Sequence, residues 1–150
     1  MTYAPPLVSL PTDSPGFSGC SLSACPDAAR RARSFTRSTL ASWDLAELAD
    51  DAQVIVSELL ANAVRHAGSG PAGSARQAWT SALGLWLLRH ADGLMCVVTD
   101  PSDSAPALKQ PGETGESGRG LHVVHALSDH WGWTRLSEHG KAVWAILFLG

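Results

Sequence analysis

Cysteine is sparse in this chain, with Cys20, Cys25 and Cys96 the only three in 150 residues. An odd, scattered set without C-x-x-C spacing excludes the paired zinc-ligand pattern and the density of a secreted disulfide scaffold. Reduced thiols in a cytoplasmic protein are expected instead. A surplus of one charge is missing as well: the formal net charge is −3, which leaves no basic footprint for nucleic acid. Arg30, Arg31, Arg33 and Arg37 are spread round one predicted helix and read as a solvated face. The start of the sequence has no basic stretch followed by an apolar run, so no signal peptide is expected. The apolar runs 83–88 and 142–149 are far too short to span a bilayer, so no membrane partner is expected. Internal repeats are absent too. What is present is ordinary globular composition, 45% hydrophobic, at a length that suits one domain with a sizeable core.

Residues 1–16 hold Pro5, Pro6, Pro11, Pro15 and Gly16 and read as a loose arm, leaving 17–150 as the domain. A short strand is expected over 17–23. Pro26-Asp27 then opens a helix to about Ser42. Asp44 is the expected N-cap of the next helix, with Glu47 completing a capping box; that helix reaches Ala67, either running through Asp50-Asp51 or breaking there. Residues 68–75 have linker chemistry. The apolar stretch 83–89, the turn Ala91-Asp92-Gly93 and the return strand 94–99 form a hairpin, with Asp100 at its end. Residues 101–117, rich in Pro and Gly, read as a functional lid. Gly118-Arg119-Gly120 leads into a helix over 121–129, and strands over 131–137 and 141–149 flank the turn Glu138-His139-Gly140. The order implies a layered α+β arrangement with helices on one sheet face.

Within the apolar helix 54–67, Glu58, Asn62 and His66 recur every four residues and so share one face. Ile55, Val56, Leu59, Leu60 and Val64 fill much of the remaining circumference. Three polar groups on a largely buried helix need partners, which solvent or a ligand can supply. Downstream, the glycines of 115–120 allow backbone N–H groups to approach phosphate oxygens, with a helix N-terminus just beyond and Arg119 as a charged donor. The spacing is neither the dinucleotide fingerprint nor a P-loop. Asp100 suits turn chemistry equally with acceptance from an exocyclic amine such as that of adenine.

Taken in order, Glu58-x-x-x-Asn62-x-x-x-His66, the strand ending in Asp100, the lid and Gly118-Arg119-Gly120-Leu121 resemble the GHKL ATPase/kinase superfamily. Within it, the chain resembles the stand-alone anti-sigma-factor serine/threonine kinase branch of actinobacteria. Asp129-His130-Trp131-Gly132 and Gly140-Lys141-Ala142-Val143-Trp144 also fit that branch. The resemblance spans about residues 17–149. It implies a two-layer α/β sandwich, the Bergerat ATP-binding fold, with a mixed, mostly antiparallel sheet and helices on one face. It implies binding of ATP with Mg²⁺, Asn62 as metal ligand and Glu58 as general base. By the same resemblance Asp100 holds the adenine amine, Gly118, Arg119, Gly120 and Leu121 wrap the phosphates, and Arg65 and His66 line the phosphate end.

The superfamily's Asp-x-Gly turn is here Asp100-Pro101-Ser102. Pro101 fixes φ and removes an N–H donor, which puts nucleotide affinity in question. The leading expectation is a serine/threonine kinase acting on an anti-sigma-factor antagonist and able to sequester a sigma factor. The alternative is a non-catalytic module that regulates transcription by protein–protein contact; a plain ATP hydrolase ranks behind both. A homodimer is an expectation of the branch alone, since Trp43 and Trp79 read as exposed anchors or as packing residues equally well.

Overall fold

Alternate residues of one strand set the layering of the molecule. Leu83, Leu85 and Leu87 are fully buried on one side, while Gly84, Trp86 and Leu88 on the other are half-buried, as the period-two geometry of a strand requires. The structure is a computed structural model that describes residues 13–14, 16–23, 25–67, 82–102, 117–137 and 139–150. Its strands are β1 (Asp13–Ser14), β2 (Phe17–Ser23), β3 (Ala82–His90), β4 (Gly93–Asp100), β5 (His130–Arg135) and β6 (Lys141–Phe148). They form one sheet in the order β1-β2-β3-β4-β6-β5. Every pairing among the described strands is antiparallel, so the expected α+β sandwich stands with an antiparallel sheet. β1 places Asp13 and Ser14 in the sheet edge, where the sequence read as part of a loose arm.

Helices α1 (Ala28–Ser42), α2 (Ala49–Ala67) and α3 (Ser117–Leu127) supply the second layer. Leu40 of α1, Ile55, Leu59 and Leu60 of α2 and Leu121 and Val124 of α3 join Leu85, Cys96, Val98, Val143 and Ala145 in one core. The opposite sheet face carries a smaller cluster of Met95, Val97, Ala142 and Trp144. Ala28, Ala32, Thr36 and Leu40 form the buried stripe of α1, and its four arginines are all exposed, the solvated face the sequence predicts.

Asp44 is a correction. It does not cap the following helix but closes α1: its φ is +60, and the N–H groups of Asp44 and Leu45 donate to the carbonyls of Ala41 and Leu40. That pair of bonds is a Schellman motif with Asp44 at its left-handed position and Leu45 packed into the core beside Leu40. A short 3₁₀ turn, Ala46–Leu48, with no side-chain cap then leads into α2. α2 runs unbroken through Asp50 and Asp51, whose charges suit the positive end of the helix.

α3 likewise departs from the span the sequence suggests. It begins at Ser117, so Gly118, Arg119 and Gly120 belong to its first turn and do not precede it. The core contacts of Leu121 and Val124 outweigh the poor helix propensity of two glycines. The expected linker over 68–75 and most of the expected lid, residues 103–116, lie outside the described residues.

Candidate functional site

Glu58 and Asn62 stand one turn apart on α2, the helix that packs against α1, α3 and β4. Asn62 is 2% exposed, and its amide nitrogen has no hydrogen-bond partner among the described residues. A buried, unsatisfied N–H donor costs about 1–3 kcal/mol, so the Asn62 amide nitrogen calls for an acceptor beside it, and the amide oxygen is the atom of the group able to ligate a cation. Glu58 is only half-buried. Its carboxylate lies against α3, where a Cβ added to buried Gly120 would sit 2.7 Å from Glu58 Oε2. The absence of a side chain at Gly120 therefore makes room for the carboxylate.

The contact joins two motifs more than fifty residues apart in the chain. The first turn of an α-helix such as α3 leaves backbone N–H groups with no intrahelical acceptor and carries the positive end of the helix dipole. A negative charge is favoured there, whether from Glu58 or from a phosphate. On its other side Glu58 borders an open groove of about 450 Å³ lined by Arg33, Asp50, Gln53, Val54 and Ser57. Arg33 Nη1 donates to Ser57 Oγ at 3.3 Å across the α1–α2 seam. Glu58 is thus reachable from outside and also touches the turn that suits phosphate.

Asp100, at the end of β4, belongs to a different constellation. Its Oδ1 accepts from the Ser102 backbone N–H at 2.8 Å and from Lys141 Nζ at 3.1 Å. The two side chains of the ion pair are 1% and 0% exposed. Ser102 supplies an Asx-type turn in spite of Pro101, whose missing N–H had put this turn in question. Gly140 holds φ +92, and a side chain there would collide with the Asp100 carbonyl oxygen. Backbone and side chain of Asp100 are therefore both held by the segment entering β6.

Leu121 is 1% exposed and part of the core, where it anchors α3. Arg65 is half-buried on α2. The side chains of His66, Gly118 and Arg119 lie outside the described residues, although all three positions are helical. Asp129 is structural: its carboxylate accepts the Phe148 N–H at 2.7 Å, and Trp131 Nε1 donates to His125 Nδ1. Trp43 is half-buried against the core, and Trp79 lies outside the described residues.

A family model described as the histidine kinase-like ATPase domain matches residues 22–147. The chain belongs to that family. No curated protein matches it. The histidine kinase-like ATPase domain is of GHKL type, and membership implies ATP binding and ATP use. The matched span covers α1 through most of β6, so it includes Glu58, Asn62, Asp100 and Gly120 together. Among the described residues, no helix is long and apolar enough to cross a membrane.

One residue of this ATPase domain escaped the sequence reading, the partner of Asp100. The signal was present in strand parity. Lys141 shares the core-facing parity of Val143, Ala145 and Leu147, and a lysine on that face needs an acid. On β4 the same face carries Leu94, Cys96, Val98 and Asp100, of which Asp100 alone can pair with it.

Proposed function

We propose that this chain is a protein serine/threonine kinase that uses ATP with Mg²⁺ to phosphorylate an anti-sigma-factor antagonist, and that it also sequesters a sigma factor. The observation that carries the reading is the position of Glu58, between an open groove and the Gly120 turn, with orphaned Asn62 one helical turn away. A hydroxyl entering by the groove meets a carboxylate able to take its proton. As that proton moves to Glu58, the hydroxyl oxygen bonds to the γ-phosphorus and the bond to the bridging oxygen of ADP breaks. Such transfer relies mainly on positioning and charge neutralisation.

The donor set fits the metal. Mg²⁺ takes oxygen ligands and usually relies on one or two protein groups plus substrate phosphates. Asn62 Oδ1 would be the protein ligand, and the ion would supply charge neutralisation between phosphate oxygens. Substrate phosphates would complete the coordination, as is usual for Mg²⁺. Asp100 would accept from the adenine amine, and the first turn of α3 would face the phosphates.

Transfer of labelled γ-phosphate to antagonist proteins, beside calorimetric titration of ATP with and without Mg²⁺, tests the reading. The native protein should bind ATP more tightly with Mg²⁺, and Asn62→Ala should lose that difference. Glu58→Gln should keep binding while transfer falls about 10²–10⁴-fold, the usual contribution of a general base. Native protein that binds ATP but transfers nothing to any cognate antagonist would leave the second reading, a non-catalytic contact module. The Asp100-Pro101-Ser102 turn motivates that second reading, because Pro101 withholds a backbone N–H that another residue would offer there.

A further inference from the structure

We infer that Lys141 is the positioning residue that makes this site select a 6-amino purine over a 6-oxo purine, by holding the Asp100 carboxylate as a fixed, acceptor-only group. The inference rests on the proposed ATP site and adds a determinant of base specificity to it.

Stability gives the buried pair little reason to exist. Two charges removed from water are costly, and an apolar pair of similar volume usually serves stability as well or better. Register does not require it either. β4 and β6 are paired without interruption from Gly93↔Phe148 to Asp100↔Lys141, so the ladder is already set when it reaches the ion pair. The ion pair stands at its last rung, on the helix-facing side of the sheet beyond Val98 and Val143.

Chemistry gives it a reason. An ionised carboxylate only accepts hydrogen bonds, whereas a protonated one also donates. Adenine presents a donor at its 6-position, and inosine or guanine presents a carbonyl acceptor there. A carboxylate as buried as Asp100 would by itself favour the protonated acid, and so would tolerate either base. The ammonium 3.1 Å away favours the charged form. The Ser102 N–H on the same oxygen fixes the orientation of the group, and Gly140, having no side chain, leaves room for the Asp100 carbonyl beside it. Lys141 acts through Asp100, which does the reading.

The test compares ATP with ITP, which differ at the 6-position, by calorimetric titration in Mg²⁺. The native protein should prefer ATP by at least about tenfold, as a site with a matched polar partner does. Lys141→Met should shrink that ratio at least about tenfold, by weakening ATP and strengthening ITP. Lys141→Arg, which keeps the cation, should retain the native preference. If Lys141→Met fails to fold by circular dichroism, the double variant Asp100→Asn/Lys141→Met leaves no lone buried charge. Its amide both donates and accepts, so its ATP-to-ITP ratio should approach one. A native ratio near one, or an unchanged ratio in a folded Lys141→Met or double variant, overturns the inference and leaves ATP binding standing. Native protein that binds neither nucleotide overturns the ATP reading, and the inference with it.

Discussion

Glu58 and Gly120 meet because one residue has a carboxylate on a half-exposed helix face and the other has no side chain to block it. Gly120→Ala therefore sets two effects against each other. Alanine in a helix is worth about 0.5–1 kcal/mol more than glycine, but its methyl would enter the space of Glu58 Oε2. The obstructed atom is the tip of a flexible side chain, so the carboxylate can swing away at small cost. Stability should stay within about 1 kcal/mol of native, while phosphoryl transfer falls at least about tenfold because the base has moved. Urea midpoints and transfer rates measured on the same preparation check both halves. A variant with native transfer would show that the close approach has no part in catalysis. At this scale the candidate site was half legible: the four-residue spacing singles out Glu58 and Asn62, but no local pattern says that an absent Cβ at Gly120, more than sixty residues further on, frames the Glu58 carboxylate. The Asp100 partner was hidden because a lysine opening an apolar strand looks like a solvated end until strand parity is considered.

Elements were easier to read than their ends. The continuous apolar stretch of β3, the turn at Ala91-Asp92 and the buried stripe of α2 each carry a period that packing reinforces. The ends went astray where local chemistry has two readings. Asp is favoured as an N-cap but is also one of the few non-glycine residues that enters the left-handed region. Asp44 does the latter, because Leu45 must return to the core beside Leu40. Glycines at 118 and 120 likewise look like loop, yet Leu121 and Val124 hold them in the first turn of α3. Asp44→Gly follows from the first case. Glycine adopts φ +60 without the Cβ penalty, and the Asp44 side chain is not capping the next helix. Relief of the left-handed penalty, about 1–2 kcal/mol, outweighs the extra chain entropy of glycine, about 0.5–1 kcal/mol, so stability should rise by about 0.5–1 kcal/mol, visible as a higher urea midpoint with an unchanged slope. A loss of stability would mean that the Asp44 carboxylate carries an interaction larger than its backbone strain.

The described elements form one antiparallel sheet under one layer of helices, and Cys96 reports on that assembly. It lies on β4, between β3 and β6, on the helix-facing side of the sheet. Complete burial pushes its thiol up to about 12 from an ordinary 9.0, because the thiolate has lost its water. In the unfolded chain the thiol ionises near the ordinary value. Between these two pH values the unfolded state has released a proton that the native state retains, so stability falls as pH rises. The thiol's contribution is complete below about pH 9 and is lost progressively towards pH 12, at up to about 1.4 kcal/mol per unit. Half-buried Cys20 is raised by the same cause and contributes with the same sign. Urea unfolding from pH 7 to 10.5 on native protein and Cys96→Ala isolates the buried thiol, since every other titrating group is common to both. The variant should start less stable, because a cavity replaces sulfur beneath α2, but its stability should decline less steeply above pH 9. Parallel curves would mean that the Cys96 thiol ionises without unfolding, which is incompatible with a position sealed between sheet and helices.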